Sequence, residues 1–498
     1  MPMNKQLQRG AGILLPISSL PSPYGIGTLG KEAYEFIDQL AEAKQTYWQV
    51  LPVGPTSYGD SPYQSFSTYA GNPYFIDLTM LIDEGLLEEQ TVTSTSFSDS
   101  DEYISYEKLW EHRYEVLREA YQNSECEKKK EYKSFCKNHK AWLEDYALFM
   151  AVKAHFGHKS WLMWEESIRY RKPSAVKEYK SLLKEEVEFY KFLQFKFYEQ
   201  WFALKTYANK KKIKLIGDLP IYVALDSADV WASPKQFQLD ENLEPIHVAG
   251  CPPDAFSDMG QKWGNPLYDW ERMEKEEFAW WKDRMIAATK LFDVVRIDHF
   301  IGIVRYYVIP AEKTAKEGWY NMGPGDKLIK AINSVIGDAK VIAEDLGVVV
   351  PKVEKVLKRS GYPGMKVLEF AFDGNPNNPY LPHTYEKNCV VYGGTHDNDT
   401  LEGYYDLLPK EQLVYAMKYC GVEKREDLVD RVIKMAYQCV ADTVIFQMQD
   451  LLHKDNSARM NFPSTIGGNW RWRMQKGEFT KEHIEFLKEL TIIYGREN

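Results

Sequence analysis

Eight short apolar segments, spaced along the whole chain, constrain the fold more than any other feature of the sequence. Each ends at polar, glycine or proline residues, and each is nearly continuous in its apolar character instead of alternating with polar residues. This pattern is typical of parallel strands that are buried on both faces. The predicted strands are residues 12–17, 47–53, 214–219, 294–299, 341–346, 365–372, 390–395 and 443–448.

Helical patterns separate several of these segments. They cover residues 31–43, 325–336, 350–359 and 410–421. Strands that alternate with helices predict an α/β fold, and eight of them predict a (β/α)8 TIM barrel that forms one catalytic domain over residues 1–498. An open, doubly wound parallel sheet is the alternative.

Two intervals between strands are too long for a simple crossover and predict inserted subdomains. In the first, residues 80–212, apolar residues such as Leu143, Tyr146 and Met150 recur at helical spacing, so this insertion is predicted to be mostly helical. The second, residues 226–290, is predicted to be loop-rich and to lie over the active site. Its segment 232–268 is rich in Pro, Gly and Trp, which predicts a long irregular loop.

Charge and cysteine usage exclude several classes of protein. The formal net charge is −10, whereas proteins that bind nucleic acid or anionic membranes need a basic surface. Six cysteines without C-x-x-C spacing are typical of a reducing compartment. No signal peptide and no apolar stretch of transmembrane length is recognisable. We therefore expect a cytoplasmic protein with neither nucleic acid nor membrane as a partner.

Carboxylates follow three of the predicted strands. Asp298, Glu344 and Asp397 come after the fourth, fifth and seventh strands, and the carboxyl ends of barrel strands meet at one rim. Two carboxyl groups, one ionised and one protonated, are the apparatus of glycosidic bond chemistry. Arg296 shares a strand face with Asp298 and is expected to lower its pKa, whereas Glu344 needs a raised pKa to act as an acid. Asp218, after the third strand, adds a polar group to the same rim.

Other interpretations of these residues remain open at this point. Arg296 and Asp298 could be a structural ion pair. The pairs Asp298-His299 and His396-Asp397 could bind a metal, but adjacent residues on a strand point to opposite faces, so each pair would supply one ligand. Gly25, Gly27 and Gly30 match G-x-G-x-x-G, but they lie well beyond the end of the strand, and no acidic residue ends the next strand. We therefore expect neither a metal nor a nicotinamide cofactor.

Six segments, in one order and spread over nearly the whole chain, resemble the amylomaltase family of 4-α-glucanotransferases (glycoside hydrolase family 77) in the α-amylase superfamily. They are Gly59-Asp60-Ser61-Pro62-Tyr63-Gln64, Ile216-Gly217-Asp218-Leu219-Pro220-Ile221-Tyr222, Pro252-Pro253-Asp254 with Gly260-Gln261-Lys262-Trp263-Gly264-Asn265-Pro266, Arg296-Ile297-Asp298-His299, Ala343-Glu344-Asp345-Leu346-Gly347 and Gly394-Thr395-His396-Asp397-Asn398. Each segment alone is unspecific, but together they are very specific.

The resemblance implies a barrel with inserted subdomains, without the C-terminal β-domain of typical amylases and without a cofactor. It implies that Asp298 is the nucleophile, Glu344 the acid and base, and Asp397 a stabiliser of the transition state. It also implies two groups of substrate-binding residues. Those on the loop over the acceptor side are Asp254, Phe256, Gln261 and Trp263. The others are Tyr63, Asp218, Arg296, His299, His396 and Asn469.

The function implied is a transferase that moves α-1,4-glucan segments between malto-oligosaccharides or starch-derived chains with retention at the anomeric carbon. An α-amylase-like hydrolase is the close alternative, and a metal-dependent barrel enzyme or an inactive glucan-binding protein are alternatives of other classes. One departure concerns the C-terminal loop, where Ser464 replaces the glycine of the family pattern Asn-x-Pro-Gly-Thr. Serine tolerates a positive φ less well than glycine, so we expect an altered loop. The sequence makes no prediction of the oligomeric state.

Overall fold

The computed structural model describes residues 6–57, 59–253, 258–347 and 350–497. In these ranges the chain forms twelve β-strands and twenty α-helices. The strands are β1 Gly10–Leu14, β2 Tyr47–Gln49, β3 Lys214–Pro220, β4 His247–Cys251, β5 Gln261–Pro266, β6 Val294–Asp298, β7 Arg305–Pro310, β8 Trp319–Met322, β9 Lys340–Ala343, β10 Gly364–Val367, β11 Cys389–Tyr392 and β12 Thr443–Gln447. The helices are α1 Lys31–Glu42, α2 Leu78–Asp83, α3 Glu89–Ser94, α4 Tyr106–Ser124, α5 Lys130–Asn138, α6 Lys140–His155, α7 Glu166–Arg169, α8 Pro173–Leu182, α9 Lys184–Lys210, α10 Ala228–Ala232, α11 Trp270–Lys275, α12 Ala279–Leu291, α13 Ile301–Val304, α14 Asp326–Asn333, α15 Pro351–Ser360, α16 Leu401–Leu407, α17 Lys410–Cys420, α18 Leu428–Gln438, α19 Met448–Leu451 and α20 Lys481–Ile493.

Eight of the strands form one parallel sheet in the order β10-β11-β12-β1-β2-β3-β6-β9. The two end strands of this sheet come together, because the backbone N–H of Ala343 at the end of β9 donates a hydrogen bond to the carbonyl of Pro363 just before β10, at 3.0 Å. The sheet is therefore nearly closed into a barrel with the helices around it. All eight predicted strands are confirmed, and the barrel is confirmed over the open sheet.

The strands end earlier than the apolar segments do. β2 ends at Gln49 although the apolar segment continues to Val53, and β9 ends at Ala343, directly before Glu344. Val50, Leu51 and Val53 are buried all the same. Hydrophobicity continues past the last ladder hydrogen bond because other segments of the chain cover the barrel rim. Glu344 and Asp397 therefore lie on loops after β9 and β11, whereas Asp298 is the last residue of β6.

The interval between β2 and β3 contains helices α2 to α9, as the periodicity predicts. The side chains that recur at helical spacing, among them Leu143, Tyr146 and Trp201, are buried. Gln194 on α9 both donates to the carbonyl and accepts from the N–H of Gly71, at 2.9 and 2.7 Å, which ties the loop after β2 to this helix. In the part of the chain that the structure describes, no helix is both long and apolar enough to cross a membrane. The insertion bounds 80–212 and 226–290 stay predictions.

The predicted irregular loop 232–268 is wrong in part. It contains β4 and β5, which join β7 and β8 in an antiparallel sheet of order β5-β4-β7-β8. β4 pairs with β7, which is distant in the sequence, through His247 with Pro310 and Val248 with Ile309. The register of β4 against β5 shifts between Val248 and Gly250. Strands that are short, interrupted by glycine and paired far along the chain show no clear local period, so the sequence pattern missed them.

Candidate active site

A cleft of about 530 Å³ opens at the carboxyl rim of the barrel. Eight predicted site residues line it: Tyr63, Gln261, Trp263, Asp298, His299, His396, Asp397 and Asn469. Asp218, Arg296 and Glu344 contact these lining residues from within the barrel. Asp254 and Phe256 lie outside the described residues. The structure thus brings together every predicted site residue that it describes.

The floor of the cleft is a buried ion-pair group formed by three of these residues. Nη1 of Arg296 lies 2.6 and 2.7 Å from the two carboxylate oxygens of Asp218 and 3.1 Å from Oδ1 of Asp298. The side chains of Arg296 and Asp218 are 3% and 0% exposed. Gly217 permits this arrangement, since a Cβ there would lie 2.1 Å from the Phe292 ring, and the next residue, Asp218, points to the opposite face. Because Nη1 lies close to both carboxylates, Arg296 pairs with Asp218 and with Asp298 at the same time.

Glu344 is held by backbone donors on both of its carboxylate oxygens. The N–H of His299 donates to Oε2 at 2.6 Å, and the N–H of Leu346 donates to Oε1 at 2.7 Å. His299 adopts a left-handed backbone with φ of 51°, which is unusual for a residue other than glycine. Such local strain is concentrated at functional sites. The residue that follows Asp298 therefore binds Glu344, so one peptide unit links the two candidate catalytic carboxyl groups.

The two carboxyl groups differ in acidity. Burial raises the pKa of Glu344 to about 8, and the nearby charge of Asp298 acts in the same direction. Burial also raises the pKa of Asp298, to about 6, because it outweighs the lowering effect of Arg296. Arg296 thus lowers the pKa of Asp298 as predicted, but the effect of burial is larger, so the net shift is upward. What matters for the chemistry is the order: Asp298 loses its proton before Glu344 does.

Asp397 also lines the cleft, in contact with His396 and Asn461. Nε2 of His396 is 3.4 Å from Oδ2 of Asp397, and Nδ2 of Asn461 donates to Oδ1 at 2.6 Å. Partial withdrawal from water opposes ionisation of Asp397, but the charge and hydrogen bond of His396 and the donation by Asn461 outweigh it, so its pKa lies well below the usual range. Tyr63 stacks on His396 with ring centroids 4.9 Å apart and donates from its hydroxyl to Asp218 at 2.7 Å. Because its pKa is lowered, Asp397 is ionised near neutral pH.

Aromatic residues form the wall of the cleft beside His299. The Trp263 ring meets the His299 ring edge-on at 5.1 Å, and its indole N–H donates to Oε1 of Gln261 at 3.0 Å. Burial lowers the pKa of His299 to about 4, so its ring is neutral near pH 7. Gln64 donates to Asn265 Oδ1 at 3.1 Å and so ties the loop that carries Tyr63 to the strand that carries Trp263. This wall presents flat apolar faces with neutral hydrogen-bonding groups beside them, which suits a sugar ring.

The loop 461–469 covers one side of the cleft. Asn469 holds it together, since Oδ1 of Asn469 accepts from the N–H of Phe462 at 3.0 Å and Nδ2 donates to Oγ1 of Thr465 at 3.0 Å. Ser464 has a φ of 67°, so the position at which the sequence departs from the family pattern does require the left-handed region. Ser464 lines the cleft, and its backbone is strained where glycine would not be.

Ser464→Gly should change the use of acceptors and leave formation of the covalent intermediate nearly unchanged. Glycine adopts φ of 67° without strain but also samples other conformations, so the loop should lose order, and we expect the acceptor KM to rise about two- to fivefold. Steady-state kinetics with varied acceptor and fluoride release from an α-glucosyl fluoride donor measure the two half-reactions. Lys212→Gly, at a φ of 64° far along the chain, is the matched control. An equal fall in both half-reactions would show that the loop does not serve the acceptor.

The glycine motif near the N-terminus has a packing role in this structure. A Cβ on Gly27 would lie 1.8 Å from the carbonyl of Ile17, and a Cβ on Gly30 would lie 2.0 Å from the Asp77 carboxylate. These glycines are needed because other atoms approach them closely. Among the described residues, no three His, Cys, Asp or Glu side chains are grouped so that they could hold a metal ion.

Three residues in contact with the site escaped prediction as site residues. Asn461 donates to Asp397, the Trp470 ring lies 5.8 Å from that of His396, and Arg459 donates to the carbonyl of Asp397 at 2.7 Å. All three come after the eighth strand, where no apolar segment ends in an acid. Asn461 is the Asn of the family pattern Asn-x-Pro-Gly-Thr in the C-terminal loop, and that was the available signal.

The chain is similar to known proteins over nearly its whole length. A family model described as 4-alpha-glucanotransferase, glycoside hydrolase family 77, matches residues 15–480. The 4-alpha-glucanotransferase of Clostridium butyricum is 50% identical over 483 residues, which cover 96% of this chain and 99% of that protein. The 4-alpha-glucanotransferase of Thermus thermophilus is 45% identical over 497 residues, with 97% and 98% covered. The structure of an amylomaltase from Streptococcus agalactiae in complex with acarbose superimposes with a TM-score of 0.96 at 42% identity, covering 99% of this chain and all of that one. The chain therefore belongs to glycoside hydrolase family 77, the family of the 4-alpha-glucanotransferases.

Proposed function

We propose that this enzyme transfers α-1,4-glucan segments between malto-oligosaccharides, or between chains derived from starch or glycogen, by a retaining double displacement. The observation that carries this mechanism is the pairing of Asp298 with Glu344. One is ionised near neutral pH and faces a guanidinium, and the other holds its proton at the same pH. This is the division that a retaining glycosidase needs.

In the first half-reaction the donor glucan lies across the cleft. The Asp298 carboxylate attacks the anomeric carbon while Glu344 protonates the oxygen of the leaving chain, and a glycosyl-Asp298 ester forms. Asp397, ionised beside His396, stabilises the positive charge that develops on the sugar ring. Tyr63, Asp218, Arg296, His299 and His396 orient that ring. The backbone donors on Glu344 keep its carboxyl group aimed at the bond that breaks.

In the second half-reaction a new glucan replaces the chain that left. Glu344, now a carboxylate, takes the proton from the 4-hydroxyl of the acceptor, and that oxygen attacks the anomeric carbon and releases Asp298. Gln261, Trp263 and the 461–469 loop form the acceptor side and favour sugar over water. This preference distinguishes a transferase from an α-amylase-like hydrolase.

The six thiols, none of them in a disulfide, suit a cytoplasmic location.

Incubation with maltotriose tests the function directly. We expect glucose together with chains longer than the substrate, with almost no rise in total reducing ends, because every cleaved bond is replaced by a new one. The reaction should proceed equally in EDTA, since the proposed chemistry uses only side chains. Size separation of the products and a reducing-end assay measure both quantities. A steep rise in reducing ends without longer chains would make the enzyme a hydrolase, and loss of activity in EDTA that a divalent ion restores would contradict the metal-free mechanism.

The pH dependence of kcat/KM should be bell-shaped. Activity should fall as the pH drops through about 6, because Asp298 becomes protonated and can no longer attack. It should also fall as the pH rises through about 8, because Glu344 then loses the proton that it donates. The two limbs belong to the interacting pair and not to isolated groups. An α-glucosyl fluoride donor needs no acid, so its glycosylation step should lose only the alkaline limb. An alkaline limb that persists with this donor would contradict the role of Glu344.

A further inference from the structure

We infer that Arg459 is a positioning residue that couples the acceptor loop to the transition-state carboxylate. This inference rests on the proposed function, in which Asp397 stabilises the transition state and the 461–469 loop serves the acceptor. Arg459 lies just before this loop and is not among the cleft-lining residues. Its side chain is 19% exposed, so most of it is enclosed by protein.

The Arg459 guanidinium binds the two segments that meet at the cleft. Nη2 donates to the backbone carbonyl of Asp397 at 2.7 Å, and Nε donates to the backbone carbonyl of Asn461 at 2.9 Å. The Phe462 ring lies against the guanidinium with its centroid 4.4 Å away, and Nη1 is 3.8 Å from the Asp399 carboxylate. The Arg459 guanidinium therefore bridges the loop after β11 and the loop after β12.

This bridge has a consequence for the carboxylate itself. Asn461, held through its carbonyl by Arg459, donates from its side chain to Oδ1 of Asp397 at 2.6 Å. Asp397 is thus held at its backbone by Arg459 and at its carboxylate by Asn461, and both contacts lead back to the same guanidinium. If the loop moves, the hydrogen bond to Asp397 is lost together with the acceptor wall formed by Pro463, Ser464 and Thr465.

Arginine suits this role and lysine does not. Two carbonyls in two different loops must receive donors at the same time, and the planar guanidinium presents several N–H groups in a fixed fork. A lysine ammonium is a single point of charge on a flexible stem and reaches one carbonyl at a time. The guanidinium face also packs on Phe462, which an ammonium would do less well. The contacts therefore require the shape of arginine and not only its charge.

The consequence for the reaction is a linkage between the two half-reactions. Loss of Arg459 should release the loop, so that the acceptor binds less well and water reaches the glycosyl-enzyme more often. It should also slow formation of the intermediate, because Asp397 loses its alignment. A residue that only stabilised the fold would lower the midpoint of thermal unfolding without shifting the partition of the intermediate between sugar and water.

The test compares Arg459→Ala and Arg459→Lys with a matched control, Arg431→Ala. Arg431 also donates to a backbone carbonyl, that of Cys420 at 2.9 Å, but it lies on helix α18 and not at the cleft. We expect both Arg459 variants to raise the acceptor KM, the alanine variant by about tenfold or more and the lysine variant by less. The hydrolysed fraction of maltotriose should rise in parallel, and fluoride release from an α-glucosyl fluoride should fall severalfold. Arg431→Ala should match the wild type in all three readouts.

A double-mutant cycle with Asn461→Ala separates coupling from general damage. If Arg459 acts through Asn461, adding Asn461→Ala to Arg459→Ala should change fluoride release little further, whereas additive losses would overturn the inference. Guanidinium at millimolar concentration should restore part of the acceptor binding in Arg459→Ala and leave that of Arg431→Ala unchanged. Should Arg459→Ala fail to fold, Arg459→Lys with and without Asn461→Ala decides the question.

If the wild type makes no chains longer than maltotriose, the proposed function fails. If it does and the Arg459 variants behave like Arg431→Ala, only this inference fails.

Discussion

Asp298→Asn should abolish transfer from every donor, whereas Glu344→Gln should trap the glycosyl-enzyme. The amide of the first variant cannot attack, and losses of about 10⁴-fold or more are typical when a catalytic nucleophile is removed. Glu344→Gln keeps the nucleophile and lacks the acid and base. An α-glucosyl fluoride leaves without protonation, so the variant should glycosylate Asp298 and then stall, because nothing activates the acceptor.

Mass spectrometry after proteolysis measures this outcome. In Glu344→Gln treated with the fluoride donor, the added sugar should be on the peptide that contains Asp298. In Glu344→Gln the amide oxygen can accept from only one of the two backbone donors, His299 or Leu346, so the side chain keeps one of its two hydrogen bonds. Asp345→Asn is the matched control and should turn over normally, since the Asp345 carboxylate accepts from the Met365 N–H and not from the site. A label on Asp397, or a product of inverted configuration from the wild type, would overturn the mechanism.

Arg296→Met should be the most destabilising of the substitutions considered for the ion-pair group. It leaves the carboxylate of Asp218, whose side chain is 0% exposed, without its counter-charge. Breaking a buried ion pair on one side costs about 3–5 kcal/mol of unfolding free energy. Arg296 also lowers the pKa of Asp298, so its removal should shift the acidic limb of kcat/KM to higher pH. Activity near neutral pH should fall by at least about a hundredfold.

Two further variants make this expectation specific. Asp218→Asn combined with Arg296→Met removes both charges and should recover much of the stability but not the activity, because Asp298 still lacks its cation. Arg118→Met breaks a partly exposed ion pair with Glu186, whose N–O distances are 2.7 and 2.9 Å. It should lower the free energy of unfolding by less than about 1 kcal/mol and leave the activity unchanged. Denaturant unfolding and pH-rate profiles provide the readouts. An unshifted acidic limb in Arg296→Met would show that Arg296 does not act on Asp298.

The barrel and most members of its site could be predicted from the sequence alone. Strand segments such as 294–299 are recognisable because burial on both faces demands a local run of apolar residues. The rule that carboxyl ends of barrel strands share a rim then brings Asp298, Glu344 and Asp397 together without any measured distance. The second sheet could not be predicted in this way. β4 pairs with β5 and with the more distant β7, and the sequence around β4 does not indicate the second pairing.

The sequence by itself indicated most of the residues that meet at the site, whereas the tertiary structure decided their contacts and their acidity. The acidity order of Asp298 and Glu344 depends on burial, which outweighs the one charged neighbour visible in the sequence. The contact between the His299 N–H and Glu344 requires a backbone conformation that the sequence does not specify. The same holds for Arg459, which binds residues from two separate loops. Periodicity and composition are local properties, but pKa values and hydrogen bonds depend on distances between residues that only the folded chain brings close.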